Sequence, residues 1–300
     1  MNPIPLDTVG KGWFTKELDK ELLEGSIDLA VHSLKDVPEI LPDGLIIAAI
    51  PQRGDPREAL VSAQASSLDT LKANAIVGTD STRRKAQLLL RRKDIVVKSV
   101  RGNVNRRLQK LDEKQYDALM LAVAGLQRLH VEARITQYFE ADDFIPSPGQ
   151  GALAVVIKKD NQKLFSLLKK INHLPTVSAV TAERTFSVEV GGGCKMPVGA
   201  YAKADGNVLT LYGFVGSIEG TNFIKGSIAG SISKAIQLGK QLAQQLLQPR
   251  YVVITRPEEQ VEALAGIVEK KGFKPLIVPS ITVKSYELTD EINVPVKSAY

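Results

Sequence analysis

A regular alternation of short apolar runs with amphipathic segments between residues 76 and 129 most constrains the fold of this chain. Each apolar run has the length of a buried strand, and the segment after it has helical spacing. These pairs occupy residues 76–77 and 82–91, then 95–99 and 104–114, then 118–122 and 124–129. Such alternation is typical of α/β proteins, in which helices cover both faces of a mostly parallel sheet. The sequence therefore predicts an α/β lobe.

Segments on either side of this unit predict a second lobe and a third domain. Apolar runs at 27–31 and 45–50 precede it, after a short helix that begins near Phe14 and stops before Gly25. The run at 152–157 follows it, and we expect that run to return to the first lobe, so that two lobes are joined by paired linkers. The polar stretch 52–57 is a candidate hinge.

After residue 173 the pattern changes to a helix, a glycine-rich loop, three apolar strands around Val198, Leu209 and Phe223, and a helix from 233 to 247. This order predicts a small α+β domain. The predicted division is residues 1–54 with 150–172 as domain 1, 55–149 as domain 2, 173–248 as domain 3, and a partial segment at 249–300.

The net charge of +6 leaves the class of ligand open between nucleic acid and a small acidic molecule. Arginines are grouped at strand ends rather than along one helix face, and aromatic residues are only 5% of the chain, which disfavours nucleic acid. One cysteine and three scattered histidines give no internal disulfide and no metal-ligand spacing. No apolar run approaches the roughly 18 residues that span a membrane, and we expect a cytoplasmic protein without metal.

Basic residues at two helix starts predict an anion site. Residues 78–84 follow one predicted strand and 99–107 follow the next, and backbone N–H groups at a helix start bind anions. Arginine forks at the same places suit carboxylates. The alternative is that Ser81 only caps its helix while the arginines face solvent. Because successive strand ends converge on one rim in this fold class, we favour a cradle for several carboxylates, with Arg128 as a further member.

Lys35 and Asp36 lie in a loop directly after a predicted buried strand. A carboxylate held there beside a cation can stabilise developing positive charge or move protons, and a plain loop ion pair is the equally simple alternative. His32 could be a general base, but a lone histidine beside a buried strand is more often a structural hydrogen-bonding group.

Cys194 follows three glycines and precedes Lys195. The glycines allow close approach of the backbone to a ligand, and the neighbouring ammonium group favours a thiolate. A buried, inert cysteine is the usual alternative. Since glycine-rich loops are normally exposed, a reactive or modified thiol is a fair hypothesis.

Five separated motifs resemble those of the porphobilinogen deaminase family, also called hydroxymethylbilane synthase, in order and in spacing. They lie at residues 31–38, 101–104, 121–126, 148–152 and 189–194, within a similarity that runs from about residue 9 to about residue 247. The resemblance implies two lobes like those of periplasmic binding proteins, a third small domain, and a monomer. It also implies an enzyme that condenses four porphobilinogen molecules with release of ammonia and then releases hydroxymethylbilane by hydrolysis, in haem and tetrapyrrole biosynthesis.

The resemblance also assigns roles to residues. It implies a dipyrromethane cofactor attached to Cys194 by a thioether, and an aspartate, matched by Asp36, that stabilises cationic intermediates beside Lys35. The positions that match carboxylate-binding residues of the cofactor or substrate are Lys35, Ser81, Arg83, Arg84, Arg101, Arg107 and Arg128, with Lys11 and Thr79 as weaker candidates and Gln150 as a cofactor contact. A non-catalytic, two-lobed anion-binding module is the alternative function.

The chain also departs from the family pattern. About the first fifty residues of that pattern have no counterpart, so we expect a shortened domain 1 and doubtful activity. The run at 9–11 is one glycine short, and Asp80 stands where a serine is usual. The tail from Tyr251 onward resembles the start of uroporphyrinogen-III synthase, which predicts a fusion of consecutive pathway enzymes.

Overall fold

The computed structural model describes residues 15–191, 197–217, 223–248, 251–255, 261–271 and 273–278. The chain divides into two compact units, 1–247 and 248–300. Among the residues described, no helix has both the length and the apolar character needed to cross a bilayer.

Eight helices and thirteen strands are described within these ranges. The helices are α1 (Lys16–Glu24), α2 (Thr82–Arg91), α3 (Val104–Asp112), α4 (Val123–Arg128), α5 (Gln162–Leu168), α6 (Leu174–Glu189), α7 (Ala235–Leu247) and α8 (Val261–Lys270). The strands are β1 (Leu29–Ser33), β2 (Leu45–Ala49), β3 (Glu58–Ser62), β4 (Ile76–Gly78), β5 (Val96–Lys98), β6 (Ala118–Ala122), β7 (Gln137–Phe139), β8 (Leu153–Lys158), β9 (Val198–Asp205), β10 (Val208–Gly216), β11 (Phe223–Ser231), β12 (Tyr251–Ile254) and β13 (Lys274–Ile277).

The first sheet has the order β1-β8-β2, and both outer strands run antiparallel to β8. The predicted return of the chain to the first lobe after residue 150 is therefore confirmed. Helix α1 ends where Gly25 adopts a left-handed conformation at φ +80°, as the sequence predicts. Leu22 of this helix packs against Ala30, Leu45 and Val156 of the sheet. The first strand begins two residues later than the predicted segment 27–31.

The second sheet has the order β5-β4-β6-β3-β7. Strands β5, β4 and β6 are mutually parallel, as the alternation predicts, whereas β3 runs antiparallel to both of its neighbours. Strands β3 and β7 were not predicted from the sequence, and the antiparallel β3 makes the sheet mixed. Leu60, Val77, Leu88 and Met120 meet in a core on one face, and α3 and α4 cover the other.

The third sheet, β11-β10-β9, is an antiparallel meander covered by α6 and α7. Phe186, Leu211 and Leu242 form the centre of its core. A Cβ on Gly213 would lie 2.6 Å from the Phe186 ring, so this strand position must lack a side chain. The predicted α+β domain is confirmed, with the last helix starting at Ala235 instead of residue 233.

Residues 248–300 form the second compact unit. Strands β12 and β13 are parallel, and α8 packs against both of them. Ile254, Val261 and Val268 are its buried residues. This is one β–α–β unit, the motif of parallel sheets. The further division of residues 1–248 into three domains stays a prediction.

Candidate functional site

A buried carboxylate organises the start of helix α2. Glu58, the first residue of β3, is fully buried, and its two oxygens accept hydrogen bonds from two adjacent arginines. Arg83 Nη2 lies 2.5 Å from Oε1, while Arg84 Nη2 and Nε lie 2.6 and 3.0 Å from Oε2. The arginines are only 5% and 6% exposed, so the alternative in which they face solvent is wrong.

The same guanidinium groups also donate to backbone carbonyls. Arg83 Nη1 donates to Ile145 at 2.9 Å, and Arg84 Nη1 donates to Met120 at 2.8 Å. A guanidinium has five N–H donors, and these bonds use only some of them. These bonds hold each arginine in one orientation. They leave some of its N–H groups without a hydrogen-bond partner among the bonds described for it.

Burial and charge act in opposite directions on the pKa of Glu58. Burial favours the neutral acid, but the adjacent Arg84 and Arg83 outweigh it and lower the pKa of Glu58 to about 2. Burial lowers the pKa of Arg83, partly offset by Glu58. Glu58 is thus an anion at any physiological pH, and it neutralises only one of the two guanidinium charges.

Lys35 adds a third cation to this cluster. It lies in the 3-10 turn Leu34–Asp36 after β1, and its Nζ donates to Gln150 Oε1 at 3.5 Å. Burial, followed by the charge of Arg84, lowers the pKa of Lys35 to about 8. Asp36 is exposed at the end of the same turn, and its charge counteracts part of that lowering.

Gln150 fixes the position of Lys35 relative to the linkers. It is buried, and its Nε2 donates to the backbone oxygens of Pro56 at 2.9 Å and Arg57 at 3.3 Å. Its side chain therefore connects the linker before β3 with the turn that carries Lys35 and Asp36.

Ser81 and Thr79 shape the loop before α2. Ser81 caps the helix, since its Oγ accepts a hydrogen bond from the Arg84 backbone N–H at 3.3 Å. Thr79 is buried, and its Oγ1 accepts from the Ser81 backbone N–H at 3.2 Å. Ser81 therefore caps its helix, and a capped helix start can still bind an anion.

The loop before α3 lies beside this helix start. Arg101 is exposed and its Nε lies 3.5 Å from Asp80 Oδ2, while Ser99 also donates to Asp80. Arg107 donates through Nε to the Gly102 oxygen at 2.7 Å. Burial, then the charge of Arg84, lowers the pKa of Arg107, and Asp80 counteracts this. The structure therefore brings the 79–84 and 101–107 segments together.

Arg128 has a different environment at the crossing of the two interlobe linkers. Its Nη2 donates to the Gly151 oxygen at 2.8 Å, and the Gly54 backbone N–H donates to the same oxygen at 3.2 Å. Burial lowers the pKa of Arg128. The described contacts place this arginine at the linker rather than beside Arg83 and Arg84.

Two predicted site residues, Lys11 and Cys194, lie outside the described residues. His32 is 9% exposed, and its Nε2 has no hydrogen-bond partner in the described part of the chain. The described residues contain no cluster of three or more acidic, histidine or cysteine side chains placed to hold a metal ion.

The described cluster has an excess of positive charge. Lys35, Arg83 and Arg84 are three cations around the single buried carboxylate of Glu58, which leaves two positive charges before the exposed Asp36 is counted. Uncompensated buried charge is unfavourable, so the cluster is suited to an anionic ligand. Arginine forks and a lysine together suit carboxylates in particular. The donor set therefore fits a ligand with several carboxylates.

Three residues that organise this site were not predicted from the sequence. Glu58 was not identified, nor were Arg53 in the first linker and Glu183 in α6. Glu183 is fully buried and occupies the apolar face of α6 with Ala179 and Phe186, at helical spacing. An acidic residue on the apolar face of a helix indicates a buried carboxylate that is paired with a cation, so the sequence offered a signal for Glu183.

Two family models match the chain. Residues 2–166 match the one described as "Porphobilinogen deaminase, dipyromethane cofactor binding domain". Residues 177–248 match "Porphobilinogen deaminase, C-terminal domain". Together they cover the three described sheets of the first compact unit.

Curated relatives agree with these matches. The porphobilinogen deaminase of Brevibacillus brevis is 46% identical over 217 residues, which are 72% of this chain and 70% of the relative. The porphobilinogen deaminase of Oceanobacillus iheyensis is 44% identical over 220 residues, which are 73% of this chain and 71% of the relative. Among solved structures, a Bacillus subtilis protein described as a "putative methionine-binding lipoprotein" is similar at 13% identity and a TM-score of 0.37, over 53% of this chain and 75% of that one.

Proposed function

Because this chain belongs to the porphobilinogen deaminase family, we propose that Lys35, Ser81, Arg83 and Arg84 bind the carboxylates of a dipyrromethane cofactor. The family is that of hydroxymethylbilane synthase, a transferase of tetrapyrrole biosynthesis. Its overall reaction converts four porphobilinogen molecules and one water into hydroxymethylbilane and four molecules of ammonia. The proposal concerns which residues of this chain support that reaction.

The observation that carries the proposal is the excess of positive charge around the buried carboxylate of Glu58, from the buried Arg83 and Arg84 and the half-buried Lys35. Each of the two pyrroles of the cofactor bears an acetate and a propionate, so the cofactor brings four carboxylates, of which two would balance the two excess charges of the cluster. Charge-assisted hydrogen bonds of this kind contribute about 1.5 to 3 kcal/mol each. Glu58 holds both guanidinium groups in place before the ligand arrives, which reduces the entropy cost of binding.

Cys194 is the proposed point of attachment. It follows α6 by five residues, and α6 also contributes Glu183, whose carboxylate contacts both interlobe linkers. When bound, the dipyrromethane would be joined to the Cys194 sulfur by a thioether and would supply the free pyrrole carbon at which a chain can grow. Gln150 is proposed to orient Lys35 towards this ligand through their hydrogen bond.

The substrate carboxylates are assigned to the second group of basic residues. Arg101 and Arg107 lie at the start of α3, beside the cofactor arginines, and Arg128 lies at the linker crossing. Lys11 and Thr79 are weaker candidates for binding substrate carboxylates. Arg101 and Arg107 thus offer cationic contacts next to the cofactor arginines, and Arg128 offers a separate one at the linker, for a substrate that brings two carboxylates per ring.

Asp36 is the proposed catalytic residue, with Lys35 beside it. The carboxylate is exposed at the end of its turn, so it can accept a hydrogen bond from a pyrrole N–H of the substrate. Positive charge develops on that nitrogen as ammonia leaves, and a fixed carboxylate stabilises it. Its effect falls on the transition state rather than on binding, because Asp36 repels the substrate carboxylates.

Intact mass spectrometry tests the attachment. Protein produced with porphobilinogen should carry one dipyrromethane adduct, and Cys194→Ala should carry none. Arg84→Gln should lose the adduct, whereas Arg134→Gln should keep it, because Arg134 pairs with Asp112 on the surface of the second lobe. An unmodified wild-type mass would contradict the proposal. Ligand-induced closure without adduct or turnover would favour the two-lobed anion-binding module instead.

We also propose that residues 249–300 correspond to the start of a uroporphyrinogen-III synthase domain. The parallel β12–α8–β13 unit supports this, since it is the type of motif with which an α/β domain begins. A chain extended beyond residue 300 should convert hydroxymethylbilane further, and a chain ending at 248 should not. The monomeric state and the cytoplasmic location stay predictions from the sequence.

A further inference from the structure

Arg184 of α6 contacts the turn that carries Lys35 and Asp36. Its Nη1 donates to the backbone oxygens of Val37 at 3.0 Å and Leu34 at 3.4 Å, and its Nη2 donates to Pro38 at 2.6 Å. One guanidinium fork therefore spans three carbonyls of residues 34–38. These bonds connect positions almost 150 residues apart in the sequence.

Apolar packing reinforces the same contact. Val180, one turn before Arg184 on α6, packs in a core with Leu34 and Val37, the residues on either side of Lys35 and Asp36. The backbone closes the turn with one hydrogen bond, from the Val37 N–H to the Leu34 oxygen, and the Leu34 N–H donates to Ala152 of the neighbouring segment. Without Arg184, three carbonyls at the edge of the turn lose their side-chain donor.

We propose that Arg184 is a positioning residue, which fixes the 34–38 turn so that Asp36 faces the reacting pyrrole at the correct distance. The proposal rests on the function assigned above to Asp36. Helix α6 ends at Glu189, five residues before Cys194, so one helix contacts the catalytic turn and leads into the proposed attachment loop.

Kinetics of the full, cofactor-loaded chain test this role. Arg184→Met should lower kcat by roughly 10- to 100-fold, since small displacements of a catalytic group have effects of that order. The KM for porphobilinogen should change by less than about twofold, because the arginines that bind substrate carboxylates are untouched. Arg184→Lys should restore part of kcat, since an ammonium group reaches some but not all of the three carbonyls.

Arg92 provides a matched control. Its guanidinium also donates to three backbone carbonyls, those of Leu68 at 2.7 Å, Asp69 at 3.1 Å and Leu71 at 3.0 Å, but in a loop of the second lobe. Arg92→Met should lower thermal stability without changing kcat per cofactor-loaded molecule. An equal fall of kcat in Arg92→Met would overturn the proposal, because the fall would then reflect a general loss of stability of the fold and not the position of the 34–38 turn.

Hydrogen exchange supplies a readout that does not depend on turnover. Amides in the peptide covering residues 33–40 should exchange faster in Arg184→Met, and those covering 68–72 should not; Arg92→Met should give the opposite pattern. Unchanged exchange at 33–40, or unchanged kcat with an active wild type, would overturn the inference. If Arg184→Met does not fold, Arg184→Lys decides by the same two criteria. A wild type without adduct or turnover would contradict the proposed function instead.

Discussion

The carboxylate of Glu183 accepts two hydrogen bonds from the guanidinium group of Arg53, at 2.6 and 3.2 Å. Glu183 lies on α6 of the third domain, whereas Arg53 lies in the first interlobe linker. The same carboxylate accepts from the backbone N–H of Gly149 in the second linker and of Ala202 in β9, each at 2.7 Å. One buried side chain thus joins both linkers to the third domain.

Replacing Glu183 with glutamine should destabilise the protein strongly. The substitution leaves the Arg53 charge without its partner in a buried site, which typically costs about 3 to 5 kcal/mol. The measurement is the free energy of unfolding in urea. Glu24→Gln is the control, because Glu24 pairs with Lys20 on an exposed helix face and its loss should cost less than about 0.5 kcal/mol. Similar losses of unfolding free energy in the two variants would show that the contacts of Glu183 with the two linkers and β9 do not stabilise the fold.

Glu58 should make the fold sensitive to acid. Burial raises its pKa, but Arg84 and Arg83 overcome this and lower it to about 2, against 4.5 for an ordinary glutamate. The folded state therefore favours the ionised form of Glu58 more strongly than the unfolded chain does. The contribution of the Glu58 carboxylate to stability is complete above about pH 4.5. It is lost as the pH falls through 4.5 towards 2.

Unfolding free energies between pH 6 and pH 2 measure this contribution. Glu58→Gln should be less stable than wild type at pH 6, and the difference should shrink as the pH falls. The matched control is Glu140→Gln, since Glu140 is exposed and its pair with Arg57 lies at the surface. A constant difference between wild type and Glu58→Gln over this range would show that the carboxylate is not ionised in the fold.

Local patterns in the sequence predicted most helices and strands but not the ion pairs that organise the site. The end of α1 at Gly25 and the α2 start at Ser81 follow from nearby residues. Glu58 meets Arg83 and Arg84 across 25 and 26 positions because β3 inserts antiparallel beside β6, and no local spacing encodes that insertion. The arginines were therefore identified as ligand-binding residues without their buried partner.

Lys35 should make binding of the cofactor weaken in mild alkali. Burial, then the charge of Arg84, lowers its pKa to about 8, so in the folded protein it loses its charge as the pH rises through 8. The cofactor carboxylates then have one cation fewer, and the fraction of protein that acquires the dipyrromethane adduct on incubation with porphobilinogen should fall above that pH. Lys35→Arg keeps a charge to higher pH and should abolish the fall. A fall that persists in Lys35→Arg would assign it to another group.

The same shift has a consequence for stability. The unfolded chain keeps the Lys35 proton to about pH 10.5, so it binds more protons than the folded state between pH 8 and 10.5. The cost of burying this charge is complete below pH 8 and is relieved as the pH rises through that window. Lys35→Met should therefore be more stable than wild type at pH 7, with a difference that shrinks towards pH 10.

Asp80 should weaken the binding of substrate carboxylates by Arg101. Its carboxylate lies 3.5 Å from Arg101 Nε at an exposed site, so it competes with substrate carboxylates for that guanidinium. Exposed ion pairs contribute about 0.2 to 1 kcal/mol, which corresponds to a decrease in KM of up to about fivefold for Asp80→Ser. Asp112→Ser, at the pair with Arg134, is the matched control and should leave KM unchanged. An unchanged KM in Asp80→Ser would remove Arg101 from the set of substrate-binding residues.

The crossing of the two linkers requires glycine at position 151. Gly151 has φ +85°, and a Cβ there would lie 2.8 Å from the Gly54 oxygen and 2.9 Å from the Asp55 oxygen. Both neighbours are backbone atoms of the other linker, which cannot move aside as a flexible side chain can. Gly151→Ala should therefore cost at least about 2 kcal/mol, through strain together with overpacking. Gly206→Ala is the control, since Gly206 has φ +54° with open space around it and should cost only about 1 kcal/mol. Urea unfolding measures both variants, and equal costs would show that the linkers can separate to admit a methyl group, so that the crossing is not a fixed contact between the lobes.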